Sequence, residues 1–443
     1  MAATPWAILL CKFSDVSTEP YPRNRFEEIF TTVGAGKFNM VDFFRDMSHG
    51  HEDLSGSRVF PGNGWYTLEQ KQSDYTGSGV NPKGRSDLVS WARQAAAKAG
   101  DILSTFYNVI VITNGPSDWC FVPSSPGFET GVITDDERKS NGMTQLSPSC
   151  VGQEMGHGYG LDHSRIDGSS ASYMDEWDIM STAAARMAPH PIYTERSPRG
   201  EPVFLIGPGL NAANMWGMGW LDLTRTWTGG WDDYTSKDGI VQLRPLHRPD
   251  LTGYLCARIG DFFIEFRMNE LWDAGIFEPA VLIHRYPDGH SYIYRGSSDR
   301  PNLSVNDFFR WGDDPSLPVH GGGFKITVTD IDANARTATI HYEIWSSNIP
   351  GPVGPGIPLG GVTNDGGGWV LFNGILTPVP PRSPEFTLLE LIAEARAAQG
   401  IRSGVARGIA LGQAYEAIGN IAAGQIAEIQ AVREPAPPSM QRE

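Results

Sequence analysis

The stretch Gln153-Glu154-Met155-Gly156-His157-Gly158-Tyr159-Gly160-Leu161-Asp162-His163-Ser164 constrains this chain more than any other part of it. Ser147-Pro148 just upstream is a helix start, with a serine at the capping position and a proline at the first helical one. On a helix, positions 153 and 157 are i and i+4, so their side chains project from one face. Two ligands at that spacing hold one metal ion, and a glutamate beside them is placed to take a proton from an activated water. Gly160 lets the chain leave the helix in a sharp turn, which brings His163 back as a third ligand. Glycines 152, 156, 158 and 160 crowd this short segment, and each interior one costs a helix about 1 kcal/mol relative to alanine. A helix so composed has to be held by packing or by metal. The plainer reading, a surface ion pair of Glu154 and His157, leaves the turn glycine and the second histidine as coincidences. Downstream, Met180 in Asp178-Ile179-Met180-Ser181 sits where a methionine turn would lie beneath the ligands.

Gln153 occupies the position where histidine is usual. An amide oxygen is a harder and weaker zinc ligand than a neutral imidazole, and suits calcium or magnesium better. Three arrangements stay open. Gln153 binds zinc through its oxygen, or His190, His49 or His51 replaces it, or the site holds no metal and the protein is an inactive pseudopeptidase. A carboxylate at Glu154 is costly to bury without a metal or a partner; in an open cleft it is simply solvated.

The chain of 443 residues has room for two to four domains, and its 40% hydrophobic and 19% charged residues suit a soluble globular protein. A net charge of -16 argues against nucleic acid or an anionic membrane as the main partner. Acidic side chains also suit calcium sites, although a solvated surface is the plainer reading. The longest apolar run near the start, Trp6 to Cys11, falls far short of a membrane span, and no signal peptide is visible. Cys11 and Cys256 lie in strand-like runs and read as buried thiols, while Cys120 and Cys150 flank one loop and are the pair able to form a disulfide.

Along the chain, Ala7–Phe13 reads as a buried strand, Arg25–Thr31 and Val41–Met47 as short amphipathic helices, and Arg58–Leu68 as strand. Residues 81–100 read as a longer helix capped by Ser86, with Leu88, Val89, Ala92, Ala95, Ala96 and Ala99 as its apolar face. Val109–Thr113 follows as a second buried strand, so an α/β layer with a partly parallel sheet is expected. From about residue 239 to 346, short β-type runs separated by Asp, Gly, Asn and Pro predict an all-β sandwich. The boundaries drawn on this basis are 1–235, 236–346, a Gly/Pro-rich linker over 347–385 with a short apolar insert at Trp369–Leu376, and a tail over 386–443. The tail opens on the capping-box pattern Thr387-Leu388-Leu389-Glu390 and reads as one or two helices able to mediate assembly or partner binding.

Across residues 5–346 the chain resembles the immune-inhibitor-A-like metallopeptidases, a metzincin group. The resemblance rests on the motif around Glu154, on Phe13-Ser14-Asp15, on Val41–Gly50 (VDFFRDMSHG) and on Gly64-Trp65-Tyr66. It extends to Met215–Trp220 (MWGMGW), Phe262–Arg267 (FFIEFR) and Ala280–His284 (AVLIH). It implies a zinc-dependent endopeptidase with a metzincin-like α/β catalytic domain followed by a β-sandwich, acting on a protein or peptide substrate. It further implies zinc ligation by His157 and His163 with Gln153 at the first ligand position, Glu154 as general base, Met180 as the methionine-turn residue and Gly160 at the turn. Secretion is the expected location on the same grounds, with the cytoplasm as the alternative because no leader is visible. A rival class is a non-catalytic protein- or glycan-binding module using Trp227, Trp231, Tyr234, Trp272, Tyr292 or Tyr294, residues that singly read as ordinary packing.

Overall fold

Strand β1 (Trp6–Lys12) buries six of its seven residues, so it must lie inside a sheet that is covered on both faces. In the computed structural model it does. The structure describes residues 3–75, 82–114, 132–134, 146–181, 184–196, 200, 202–229, 237–313, 315–316 and 322–346, and the strands 368–372 and 375–379. The chain divides into two compact units, Met1–Ser347 and Asn348–Glu443.

In the first unit β1 is followed by helices α1 (Arg23–Phe30) and α2 (Met40–Met47), strands β2 (Arg58–Phe60) and β3 (Tyr66–Thr67), helix α3 (Pro82–Lys98), and strands β4 (Asn108–Thr113) and β5 (Val132–Thr134). Strands β2, β3 and β4 pair with β1 in parallel, and β5 closes the edge antiparallel to β4. Alternation along β1 sorts its side chains into two cores. Trp6, Ile8 and Leu10 join Phe26, Phe43, Val151 and Met155, while Ala7, Leu9 and Cys11 join Leu88, Val89, Ala92 and Ala96 of α3.

The run expected as one strand over Arg58–Leu68 is two short strands, because Pro61-Gly62-Asn63-Gly64 interrupts it with turn residues. Ser86 does not cap α3. The helix already starts at Pro82, four residues earlier, which places the serine in its second turn.

Next come α4 (Pro148–Tyr159), β6 (Arg165–Ile166), the antiparallel pair β7 (Ala188–Pro189) and β8 (Leu205–Ile206), α5 (Ala212–Gly217) and β9 (Thr226–Gly229). Strands β10 (Lys237–Leu243), β11 (Cys256–Ile259), β12 (Phe262–Arg267), β13 (Ala280–Arg285), β14 (Tyr292–Ile293), β15 (Phe308–Gly312), β16 (Gly323–Asp332) and β17 (Thr337–Trp345) follow. They form a four-stranded sheet in the order β10-β17-β16-β15 and a six-stranded sheet in the order β6-β14-β13-β12-β11-β9. Val241, Phe324, Ile326 and Ile340 of the first share one buried core with Ile259, Phe262, Ile264 and Ile283 of the second, which makes the pair a two-layer β packing. The six-stranded sheet draws β6 and β9 from before residue 236, and β6 follows His163 by one residue, so the segment leaving the motif is paired directly into that sheet.

In the second unit, β18 (Gly368–Phe372) and β19 (Ile375–Val379) pair antiparallel with Phe372 opposite Ile375. The intervening sequence is Asn373-Gly374, the dipeptide that two-residue hairpins favour. The helical reading of the tail lies outside the described residues, as do Cys120, Trp231 and Tyr234. No helix among the described residues is long and apolar enough to cross a membrane.

Candidate metal centre

Helix α4 carries the motif, and eleven of its twelve residues are buried. Its glycines are explained by what touches them. A β-carbon at Gly152 would lie 2.8 Å from Ile179 Cδ1, one at Gly156 would lie 2.7 Å from Met180 Sδ, and one at Gly158 would lie 2.4 Å from Trp6 Cη2. The first two glycines thus seat the Ile179-Met180 turn against the helix, and the third admits the indole of β1. Gly160 ends the helix in the left-handed region at φ 106°, and Leu161 N then bonds back to Gly156 O at 3.0 Å. Ser147 is the residue before the helix, but its side chain caps nothing in α4. Its hydroxyl is spent on the backbone of Leu205, donating to the carbonyl at 2.9 Å and accepting from the N–H at 2.8 Å.

The turn at Gly160 brings the two histidines together, with ring centroids of His157 and His163 4.7 Å apart and planes at 79°. His157 is buried, and its Nδ1 lies 2.9 Å from Leu161 O. A carbonyl only accepts, so Nδ1 carries a proton, and in the neutral ring Nε2 is then the lone-pair atom, the arrangement of a metal-ligating imidazole. Gln153 and Glu154 are buried on the same helix, Glu154 with none of its surface exposed. That burial excludes a glutamate merely solvated in an open cleft. The site therefore has to supply donors or positive charge for this carboxylate. His163 is half-buried and marks the open side of the cluster.

Tyr173 was not visible as a site residue from spacing. Its ring centroid is 4.0 Å from that of His163, and its backbone takes φ 63°. A non-glycine residue in that region costs on the order of 1–2 kcal/mol, a cost met here where the phenol ring packs, tilted by 36°, against a candidate ligand.

Two of the three histidines that could replace Gln153 have ring nitrogens engaged by the backbone. His190 Nδ1 accepts from Ile192 N and Tyr193 N, both at 3.0 Å, and burial pushes the ring down to a pKa of about 4. His49 Nε2 donates to Leu246 O at 3.0 Å and its Nδ1 accepts from Asp222 N at 3.2 Å, with burial likewise holding it at about 4. Both are fixed by the backbone around them. His51 is exposed. Of the aromatic residues considered for partner binding, Trp272 and Tyr294 are buried, and Trp227 and Tyr292 pack against the sandwich core.

Behind the cluster lies a buried polar hub. Asp178 Oδ1 accepts from Met180 N at 2.7 Å and Ser164 Oγ at 3.1 Å, and its Oδ2 accepts from Asn211 N at 2.6 Å. Asp175 Oδ2 accepts from His284 Nε2 at 3.0 Å and Asn211 Nδ2 at 3.1 Å. Burial first, and the neighbouring Asp175 second, raise the Asp178 carboxyl to about 6.

Elsewhere, Asp238, His341 and Glu343 offer ligand atoms within 4.8 Å of one another on the outer face of the four-stranded sheet. Asp238 already bonds His341 at 2.8 Å, and Lys325 sits 3.6 Å from Glu343, which disfavours a cation there. Compared with known proteins, the chain matches no family model, no curated protein and no solved structure.

Proposed function

We propose that the chain is a metal-dependent endopeptidase of metzincin-like fold whose centre is built from His157, His163 and Gln153. The observation that carries this reading is the pairing of His157 with His163 over a helix whose Gly156 is pressed against Met180, with His157 Nδ1 tied to a carbonyl so that Nε2 is the ligand atom. The donor set fits zinc: two imidazoles, plus an amide oxygen at the i–4 position of the same helix. When bound, such an ion polarises a carbonyl and makes a water acidic enough to lose a proton near neutral pH.

The residues then have distinct tasks. Glu154, next to Gln153 and one turn from His157, accepts the proton of the attacking water and delivers it to the leaving amine. His157 is locked in one tautomer by Leu161 O. The Tyr173 ring fixes the plane of the His163 ring. No covalent intermediate is needed, so no serine or cysteine serves as nucleophile.

Glu154→Gln is expected to lower peptide hydrolysis by about 10²–10⁴-fold with zinc content nearly unchanged. Zinc by plasma mass spectrometry on the same samples separates loss of the base from loss of the metal. Full activity in the variant would reject the mechanism. One observation favours a second reading, a non-catalytic relative that holds a protein or peptide in the same cleft: the amide at position 153 is the weakest zinc donor of the three. About one zinc per chain, retained through a mild chelator wash, supports the enzyme. No zinc, and none taken up when offered, supports the binding protein.

A further inference from the structure

We infer that Asp178 is the positioning residue of the metal centre, holding the His163 segment and the Met180 turn in register from behind. The inference rests on the reading that His157 and His163 share a metal ion.

Ser164 is the residue after His163, and all three of its polar groups are held. Its N–H bonds Met180 O at 3.4 Å, its carbonyl accepts from Met174 N at 3.1 Å, and its hydroxyl donates to Asp178 Oδ1 at 3.1 Å while accepting from Asn214 Nδ2 at 3.0 Å. The same Asp178 oxygen accepts from Met180 N at 2.7 Å. One carboxylate oxygen therefore fixes the distance between the segment that bears His163 and the turn that supports His157 through Gly156. The second oxygen accepts from Asn211 N, at the residue that caps α5 by accepting from Asn214 N at 2.8 Å.

The anchor behind α5 is a connected set of buried hydrogen bonds. Asn211 Nδ2 bridges Asp175 and Ser291, Ala212 N donates to Glu265, and Arg267, fully buried, joins Glu265 to Asp273. Position is thus relayed from β12 and β13, through Asn211, to one carboxylate and then to the ligand loop. Among the described residues no Arg or Lys side chain bonds Asp178, so its bonds go to the groups it orients rather than to a balancing cation. Support of this kind behind a metal ligand typically changes metal affinity by about 10–100-fold when removed.

The test loads the full chain with Co²⁺, whose visible spectrum reports ligand geometry, and measures affinity by chelator competition. Asp178→Asn is expected to weaken Co²⁺ binding about 10–100-fold and to alter the visible bands while the metal-free near-ultraviolet circular dichroism stays that of the wild type. Ser164→Ala removes one hydroxyl and is the milder variant, suited to the case in which Asp178→Asn does not fold. It is expected to change the bands in the same direction with a smaller loss of affinity. Combined with Asp178→Asn it should add little, since both act through one contact. Wild-type affinity and spectrum in a folded Asp178→Asn or Ser164→Ala protein would overturn the positioning role and leave the metal reading intact. A wild-type chain that binds neither Co²⁺ nor Zn²⁺ would overturn both.

Discussion

Helix α3 turns Leu88, Val89, Ala92 and Ala96 into the core and leaves Ser90, Arg93, Gln94 and Lys98 to solvent, whereas α4 leaves almost nothing exposed and has glycine at three of its twelve positions. The first is held by one apolar stripe and good helix formers. The second is a poor helix on its own account. Its shape is set by what presses on it: Ile179 at Gly152, Met180 at Gly156 and Trp6 at Gly158. A helix that gives up propensity to let neighbours approach this closely is organised around contacts on its surface. In α4 those contacts converge on the turn beneath His157 and on the strand beside it.

Exchange of glycine and alanine breaks or sharpens the comparison, because the two helices should respond with opposite sign. Gly158→Ala adds a methyl 2.4 Å from Trp6 Cη2 and 2.9 Å from Asn108 Nδ2. Propensity alone would make this change stabilising. Overpacking should win, costing about 1–3 kcal/mol, since Trp6 is buried and its Nε1 is tied to Tyr159 OH at 3.1 Å. Urea unfolding of the variant decides it, and a gain in stability would show that α4 is not packed as described.

A second exchange asks what the polar residues of α4 are for. Gln153→His alters a buried side chain, so its effect on folding is measured on the metal-free protein, where packing alone contributes. It should tighten zinc binding by about tenfold, or about 1.4 kcal/mol, by replacing an amide oxygen with an imidazole. Chelator competition reads the affinity and calorimetry the stability. A stability change without an affinity change would mean that position 153 belongs to the core and not to a metal centre.

Much of this was legible from the sequence, and the reasons differ by region. Strands β1, β4, β12 and β13 are runs of apolar residues bounded by turn residues, and each run is a strand in the structure. Strands β9 and β14 are two to four residues long, too short for a period to register, and they exist because β11 and β13 offer them edges. The turn glycine of the motif is legible as the device that returns His163 toward His157, and the two ring centroids lie 4.7 Å apart, whereas the i, i+4 spacing bears only on Gln153 and His157. Spacing could not find Tyr173, whose approach to His163 depends on a left-handed backbone in an irregular loop. Nor could it find the Asp178 hub, assembled from residues 164, 178, 211 and 265 that are distant in sequence. Ser147 shows the reverse error, a residue with the right identity for a cap whose hydroxyl a tertiary partner has taken.

The smallest expected effect is the control that gives the others meaning. Gln94 lies in the interior of α3 on its solvent side, where its amide makes one exposed bond to Ser90 Oγ at 3.2 Å. Compared with each other, Gln94→Ala should exceed Gln94→Gly in stability by about 1 kcal/mol, the backbone preference with no packing term. Both variants lose the Ser90 bond, so it cancels in the difference. If position 94 instead showed no preference, propensity would not govern α3, and the cost predicted at Gly158 could no longer be assigned to contact with Trp6 rather than to a helix end that frays. If the alanine advantage appears at 94 and reverses at 158, the same methyl group has opposite effects in one protein, and only the neighbours of α4 differ enough to cause it.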